Sequence, residues 1–275
     1  MASSGEAPVL ERRAGVVIAA PGAGWRERLR PALLPAASII GLLVLWQVAA
    51  LVADRPQLLP TPAMVLAAFL EGMVSGEVPY HLGVTLLRVA ASFVLAMAIG
   101  TAIGLAMGRL KLFDEFAQPW LVLLLNLPAL VVIVLAYIWI GLVESALITA
   151  VALNKIPNVV VTVREGARAL DRSLLEMAQS FRIGWRRTLS HVVLPQLYPY
   201  LAAAARSGLA LIWKIVLVTE LLGRSSGVGF QIGLYFQLFD VTNILAYSLG
   251  FVAIIQVIEW TMLMPLERHV SRWRR

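Results

Sequence analysis

Residues Phe116 to Val163 read FAQPWLVLLLNLPALVVIVLAYIWIGLVESALITAVALNKIPNVVVTV, and only Glu144 and Lys155 among them are ionisable. A helix needs roughly 20 apolar residues to cross hydrocarbon, so the stretch holds two crossings. Gly141 to Glu144 supplies the turn between them, and Asn126 with Pro128 marks a bend in the first. Working outward, the charge-free segments Leu33 to Val52 and Arg88 to Arg109 each predict a span. Two more are predicted at about Tyr198 to Leu222 and Val241 to Pro265. The fold class is all-α, a polytopic membrane protein with six transmembrane helices.

Composition agrees. Apolar residues make up 60% of the 275-residue chain and charged ones 14%, against about 45–50% and about 25% in soluble domains. Mean hydropathy is +0.82. That is more apolar surface than one water-facing core could bury. The net charge of +7 is an orientation signal, with the lipid bilayer as partner and no nucleic acid implied. With the N-terminus inside, eighteen of the 23 lysines and arginines fall in inside segments or at the termini. Both termini are therefore expected in the cytoplasm. Residues 1–30, with Glu6, Glu11 and paired arginines, read as a cytoplasmic tail, and 31–275 as the membrane domain. The absence of cysteine excludes disulfides and thiolate chemistry.

Between the first two spans, Thr61-Pro62 is a helix start with a capping hydroxyl and a proline at the first position. Met64, Val65, Ala68 and Phe69 then fall on one face, consistent with a short helix on the membrane surface. Gly100, Gly104 and Gly108 repeat every four residues in the second span and allow another helix backbone to approach closely.

The inside segment from about 164 to 197 is long, polar and basic. Apolar residues alternate with charge at helical spacing, predicting two short amphipathic helices, near Ser173 to Phe181 and near Trp185 to Val193. Asp171 and Ser173 offer caps for the first. Such a surface suits docking to a soluble partner.

Here a specific resemblance appears. Glu176-Met177-Ala178, with Val192-Val193-Leu194-Pro195 placing the proline nineteen positions after the glutamate, resembles the EAA loop of ABC-importer permeases. Leu59-Pro60-Thr61-Pro62, Thr85-Leu86-Leu87-Arg88 and Thr219-Glu220-Leu221-Leu222-Gly223 through Ser226-Gly227-Val228-Gly229 resemble the nitrate, sulfonate and taurine group of that family. The likeness runs from about Leu58 to Arg275.

The resemblance implies a permease subunit in a bacterial inner membrane, paired as a homodimer with the pathway at its interface. It also implies two ATP-binding cassette ATPase subunits inside, which hold the ATP and Mg, and a substrate-binding protein outside. The solute is expected to be a small anion or zwitterion, sulfonate-, taurine- or nitrate-like. Glu176 is expected as a polar contact, Ala178 as the small residue permitting close approach to the ATPase, and Leu194-Pro195 as the join to the fifth span. Two departures stand out. Met177 replaces the usual alanine, and Arg182 replaces the glycine expected six residues after the glutamate. Either Gly184 makes the turn in a shifted geometry, or the turn is built without glycine.

No G-x-x-x-x-G-K-[ST] occurs, so ATP hydrolysis is assigned to another chain. His81, His191 and His269 are scattered, and no metal site, resident cofactor or catalytic constellation is expected; each histidine reads as an interfacial or loop residue. Ionisable groups inside spans are costly and point to function. Lys214 is a candidate for the pathway, with an interhelical partner or snorkelling as the alternatives, Glu220 for a gate or packing, and Asn126 for the pathway or gate at its bend. Six residues separate Lys214 from Glu220, about 240° around a helix, so they do not pair. Lys155 is expected to snorkel or to hold a bend. The competing class is an ion-gradient-driven secondary transporter, which internal repeats and paired intramembrane carboxylates would mark.

Overall fold

The computed structural model describes residues 25–263, with side chains from 34 to 261. The tail before Trp25 and the expected end of the last span at Pro265 lie outside the described residues. Among the described residues the regular structure is helical: α1 (Trp25–Ala53), α2 (Pro62–Ser75), α3 (Glu77–Arg109), α4 (Lys111–Asn126), α5 (Ala129–Ile140) and α6 (Glu144–Arg168). There follow α7 (Arg172–Ser180), α8 (Trp185–Thr188), α9 (Leu194–Gly223), α10 (Val228–Gln237) and α11 (Val241–Ile258).

Five helical stretches are long and apolar enough to cross a membrane, and the pair α4–α5, bent by 98°, makes a sixth. Whether that pair crosses or turns back is settled by the register of its neighbours. Gly100 meets Val159 of α6, Gly104 meets Val163, and Gly108 meets Ala167. Each step of four along α3 is matched by a step of four along α6, so the two run parallel. A chain that enters two parallel spans in succession must return between them, and α4–α5 is the return. The break falls where Pro128 lacks an N–H and Asn126 folds its amide back onto the Val122 carbonyl at 2.7 Å.

The glycine repeat thus has its partner. A Cβ on Gly104 would stand 2.8 Å from the Val160 carbonyl oxygen, and one on Gly100 2.6 Å from Val159. Bare backbone on α3 is what lets α6 lie so close. Helix α6 is the centre of the bundle, with 56% of its apolar window buried against 6% for α1, whose faces are left to lipid. Helix α9 packs antiparallel on α6, with Ala204 against Val159 and Val163, and Ile212 against Val151.

Thr61 caps α2 by accepting from the Met64 N–H at 3.3 Å, and Pro62 opens the helix, as the sequence predicts. Val65 is buried and Phe69 lies on Gly250 of α11, while Met64 is exposed. The helix is therefore pinned to α11 through Phe69. The Trp46 indole donates to the Pro60 carbonyl at 2.9 Å, tying α1 to its start.

Two expectations need correction. The second span starts at Glu77, eleven residues before Arg88. At 33 residues it is about 50 Å long, so it projects beyond the membrane. Trp185 to Val193 is not a separate helix either. It continues through a π-helical turn, Leu189–Val193, into α9, giving one helix of 39 residues. Pro195 cannot supply an N–H, and the turn widens just before it: the Leu194 N–H bonds back five residues to Leu189.

Candidate coupling surface and a buried charge cluster

The segment joining α6 to α9 forms a capped, surface-borne helix. The Asp171 carboxylate accepts from the Ser173 hydroxyl at 2.7 Å and from its N–H at 2.8 Å. The hydroxyl first and the backbone amide second hold its pKa below the ordinary aspartate value. The Asp171 N–H donates to Gln196 at 2.8 Å, anchoring the start of α7 to α9.

At the other end of α7, the Ile183 N–H reaches the Ala178 carbonyl and the Arg182 N–H reaches that of Gln179, both at 2.9 Å. This crossed pair is a Schellman motif, and Arg182 occupies its left-handed position with φ +51°. Gly184, at φ −59°, caps α8 instead. The turn is thus built without glycine, on the residue standing where the family's glycine is expected.

Glu176, Met177, Phe181 and Trp185 are exposed along this element. Ala178 is not. It is buried inside its own chain, so its small size lets α7 settle on the bundle rather than admitting a partner. Leu194 and Pro195 lie on the exposed side of the helix, and the join to the fifth span is made by Val193 and Leu197 packed with Ala167 and Leu170.

At the C-terminal end of α6, Asp114 of α4 binds two of its arginines. Arg164 meets it through Nε at 2.6 Å and Nη2 at 2.8 Å, and Arg168 at 2.5 Å. The Arg164 fork also donates to Gln118.

The opposite end of α6 carries a larger cluster that sequence reasoning did not assemble. Arg88 commits all five of its N–H donors. Two go to the Glu144 carboxylate at 2.6 and 2.9 Å, one to Glu220 at 2.8 Å, and two to the hydroxyl and carbonyl of Ser226 at 2.9 and 2.6 Å. Glu144 also binds Arg224. Two arginines and two glutamates balance, which is how charge is tolerated here. Glu220 is fully buried and further receives the Thr85 hydroxyl and the Gly229 N–H. The available signals were Arg88 and Glu220, each an ionisable residue in an otherwise apolar stretch.

The residues expected at a pathway or gate lie apart. Glu220 is enclosed by protein. Asn126 sits exposed at the α4–α5 break, and Lys214 is exposed on the far face of α9, so the three are not brought together. Lys155 does not snorkel; it is buried across Gly208, whose missing side chain makes room for it. His81 is buried rather than interfacial. Among the described residues no group of side chains could hold a metal ion.

The geometry so far defines a class: a multi-pass helical membrane protein with an exposed, capped helix joining two spans at one end. The comparisons give the family. Residues 98–263 match the model of the binding-protein-dependent transport system inner membrane component, and the chain belongs to that family. It is 31% identical to the putative aliphatic sulfonates transport permease protein SsuC of Bacillus subtilis (strain 168), over 91% of this chain and 88% of that one. It is 27% identical to the taurine transport system permease protein TauC of Escherichia coli (strain K12), over 84% and 86%. In fold it is similar to an inward-facing MetNI methionine ABC transporter, with a TM-score of 0.57 at 18% identity, over 68% of this chain and 92% of that one. The protein is a permease subunit of an ABC importer, working with ATPase and substrate-binding proteins. Family membership favours ATP-driven import over the ion-gradient alternative.

Proposed function

We propose that two copies of this chain form the pathway for a small sulfonate-type anion in a bacterial inner membrane, with both termini in the cytoplasm. Two ATPase subunits, holding ATP and Mg, seat against the α7 surface, and a binding protein delivers the solute at the opposite end. The observation that carries the pairing is Lys214, exposed on a membrane-spanning helix with no ion pair to any described residue. A bare ammonium facing lipid costs several kcal/mol, so this face of α9 meets a second copy and water, where a cation attracts an anionic solute. The sulfonate and taurine relatives support the solute class.

Coupling follows from α7. A short rigid helix, capped at both ends and anchored to α9, passes ATPase closure to the spans as rigid-body motion. The test is affinity purification from membranes in mild detergent, followed by uptake assays with taurine, alkanesulfonates and nitrate in reconstituted vesicles. The expected result is a stoichiometric ATPase that is lost, or hydrolyses without transport, in Glu176→Lys, and sulfonate uptake that falls in Lys214→Met. A chain purifying alone, or full uptake in Glu176→Lys, overturns the coupling role; full uptake in Lys214→Met returns that lysine to a structural one.

A further inference from the structure

The segment between α9 and α10 is held at four successive residues by side chains from α3 and α9. Arg88 takes the Ser226 carbonyl. His81 Nδ1 accepts from the Gly227 N–H at 3.0 Å, Thr85 Oγ1 from Val228 at 2.8 Å, and Glu220 Oε2 from Gly229 at 2.9 Å. Gly227 is the N-cap of α10, at φ +105°, and the next two residues open the helix. The three acceptors therefore satisfy amides that the first turn cannot pair for itself. His81, Thr85 and Arg88 fall on one face of α3 by their spacing of four and three.

Of the three acceptors, only His81 loses its accepting lone pair when it gains a proton; a protonated Glu220 keeps an oxygen that accepts. Because Nδ1 accepts, the ring's single proton is on Nε2. Nε2 lies 2.7 Å from the Gln231 amide, whose Oε1 is buried without a partner. Turning that amide by 180° gives the oxygen to the Nε2 proton. We propose that His81 is a proton-operated latch: as the neutral ring it clamps the first turn of α10 to α3, and as imidazolium it releases it, because Nδ1–H then confronts the Gly227 N–H. The charged groups acting on the ring are Glu77 and Arg88 of α3, with Glu220 of α9 on the neighbouring Gly229 N–H and Thr85 hydroxyl. Tyr80, Phe230 of α10 and Tyr247 of α11 form the rest of the wall, with Tyr235 against Tyr247. In the proposed orientation this end faces outside, so the latch reads external pH.

Hydrogen exchange on the full chain in lipid nanodiscs, in the assembly that mild detergent preserves, tests this. Between about pH 7.5 and 4.5, a range that reaches well below the ordinary imidazole titration, protection of the 227–229 amides should fall roughly tenfold or more after correction for chemical exchange. Amides of α6 should not change. In His81→Asn the side-chain oxygen keeps an acceptor near the Nδ1 position, and protection should hold at both pH values. Glu220→Gln, which removes the other acid able to titrate here, should still respond to pH. Flat protection in the wild type overturns the latch, as does a pH response that survives in His81→Asn and disappears in Glu220→Gln. If His81→Asn does not fold, the wild type and Glu220→Gln decide between the two groups.

Discussion

Arg88 and Glu220, 132 positions apart in the chain, stand 2.8 Å from each other with neither exposed beyond 3%. The pair joins α3 to α9, and its continuation through Glu144 and Arg224 brings in the start of α6. Breaking a buried pair leaves one charge unmatched at a cost of about 3–5 kcal/mol. Arg88→Met and Glu220→Leu should each lower the unfolding midpoint in detergent markedly, and the double variant should lose less than the sum. Additive losses would show that the two do not act together.

The contact between α3 and α6 predicts a steep response to added volume. Gly104→Val forces a side chain against the Val160 carbonyl and Val163. Overpacking of this kind costs about 1–3 kcal/mol, read as a lower unfolding midpoint. Gly83→Ala, at a position with open space around it, should be nearly neutral in the same assay.

Arg182 pays for a left-handed conformation that glycine adopts freely. Arg182→Gly should firm the turn after α7 by about 1 kcal/mol, seen as slower hydrogen exchange at Ile183. Arg182→Val, branched at Cβ, should loosen it. Gly184→Ala should have little effect, because that residue has negative φ and nothing crowds it.

Asp171 gives the start of α7 a pH dependence of known sign. Its pKa is lower in the folded chain than its ordinary value, through the Ser173 hydroxyl and amide. Its capping is therefore fully present above the ordinary aspartate pKa and is lost as pH falls through the lowered one. Exchange at the α7 amides should accelerate in Asp171→Ala at neutral pH, and wild type and variant should converge in acid.

Much of the membrane architecture is legible in single residues. Thr61-Pro62 starts α2, Asp171 caps α7, and Asn126 with Pro128 marks the break between α4 and α5. Each is a local device whose effect is felt within a few positions of the chain. The extension of α3 back to Glu77 was not legible, because span counting follows hydropathy and stops at the first charge. Nor was the fusion of α8 with α9, since a proline reads as a break until a π turn absorbs it.

The sequence by itself determined that the chain is a multi-pass membrane protein, because transfer of apolar residues to lipid depends on composition over a window and hardly on neighbours. It also determined the family, through the spacing of Glu176 and Pro195. Tertiary structure alone decided that the glycine stripe serves α6, that Ala178 faces its own chain and that Lys155 fills the space at Gly208. It likewise decided that Arg88 finds Glu220. A charge in a span must be neutralised, but which distant residue does so depends on how the helices are arranged in three dimensions.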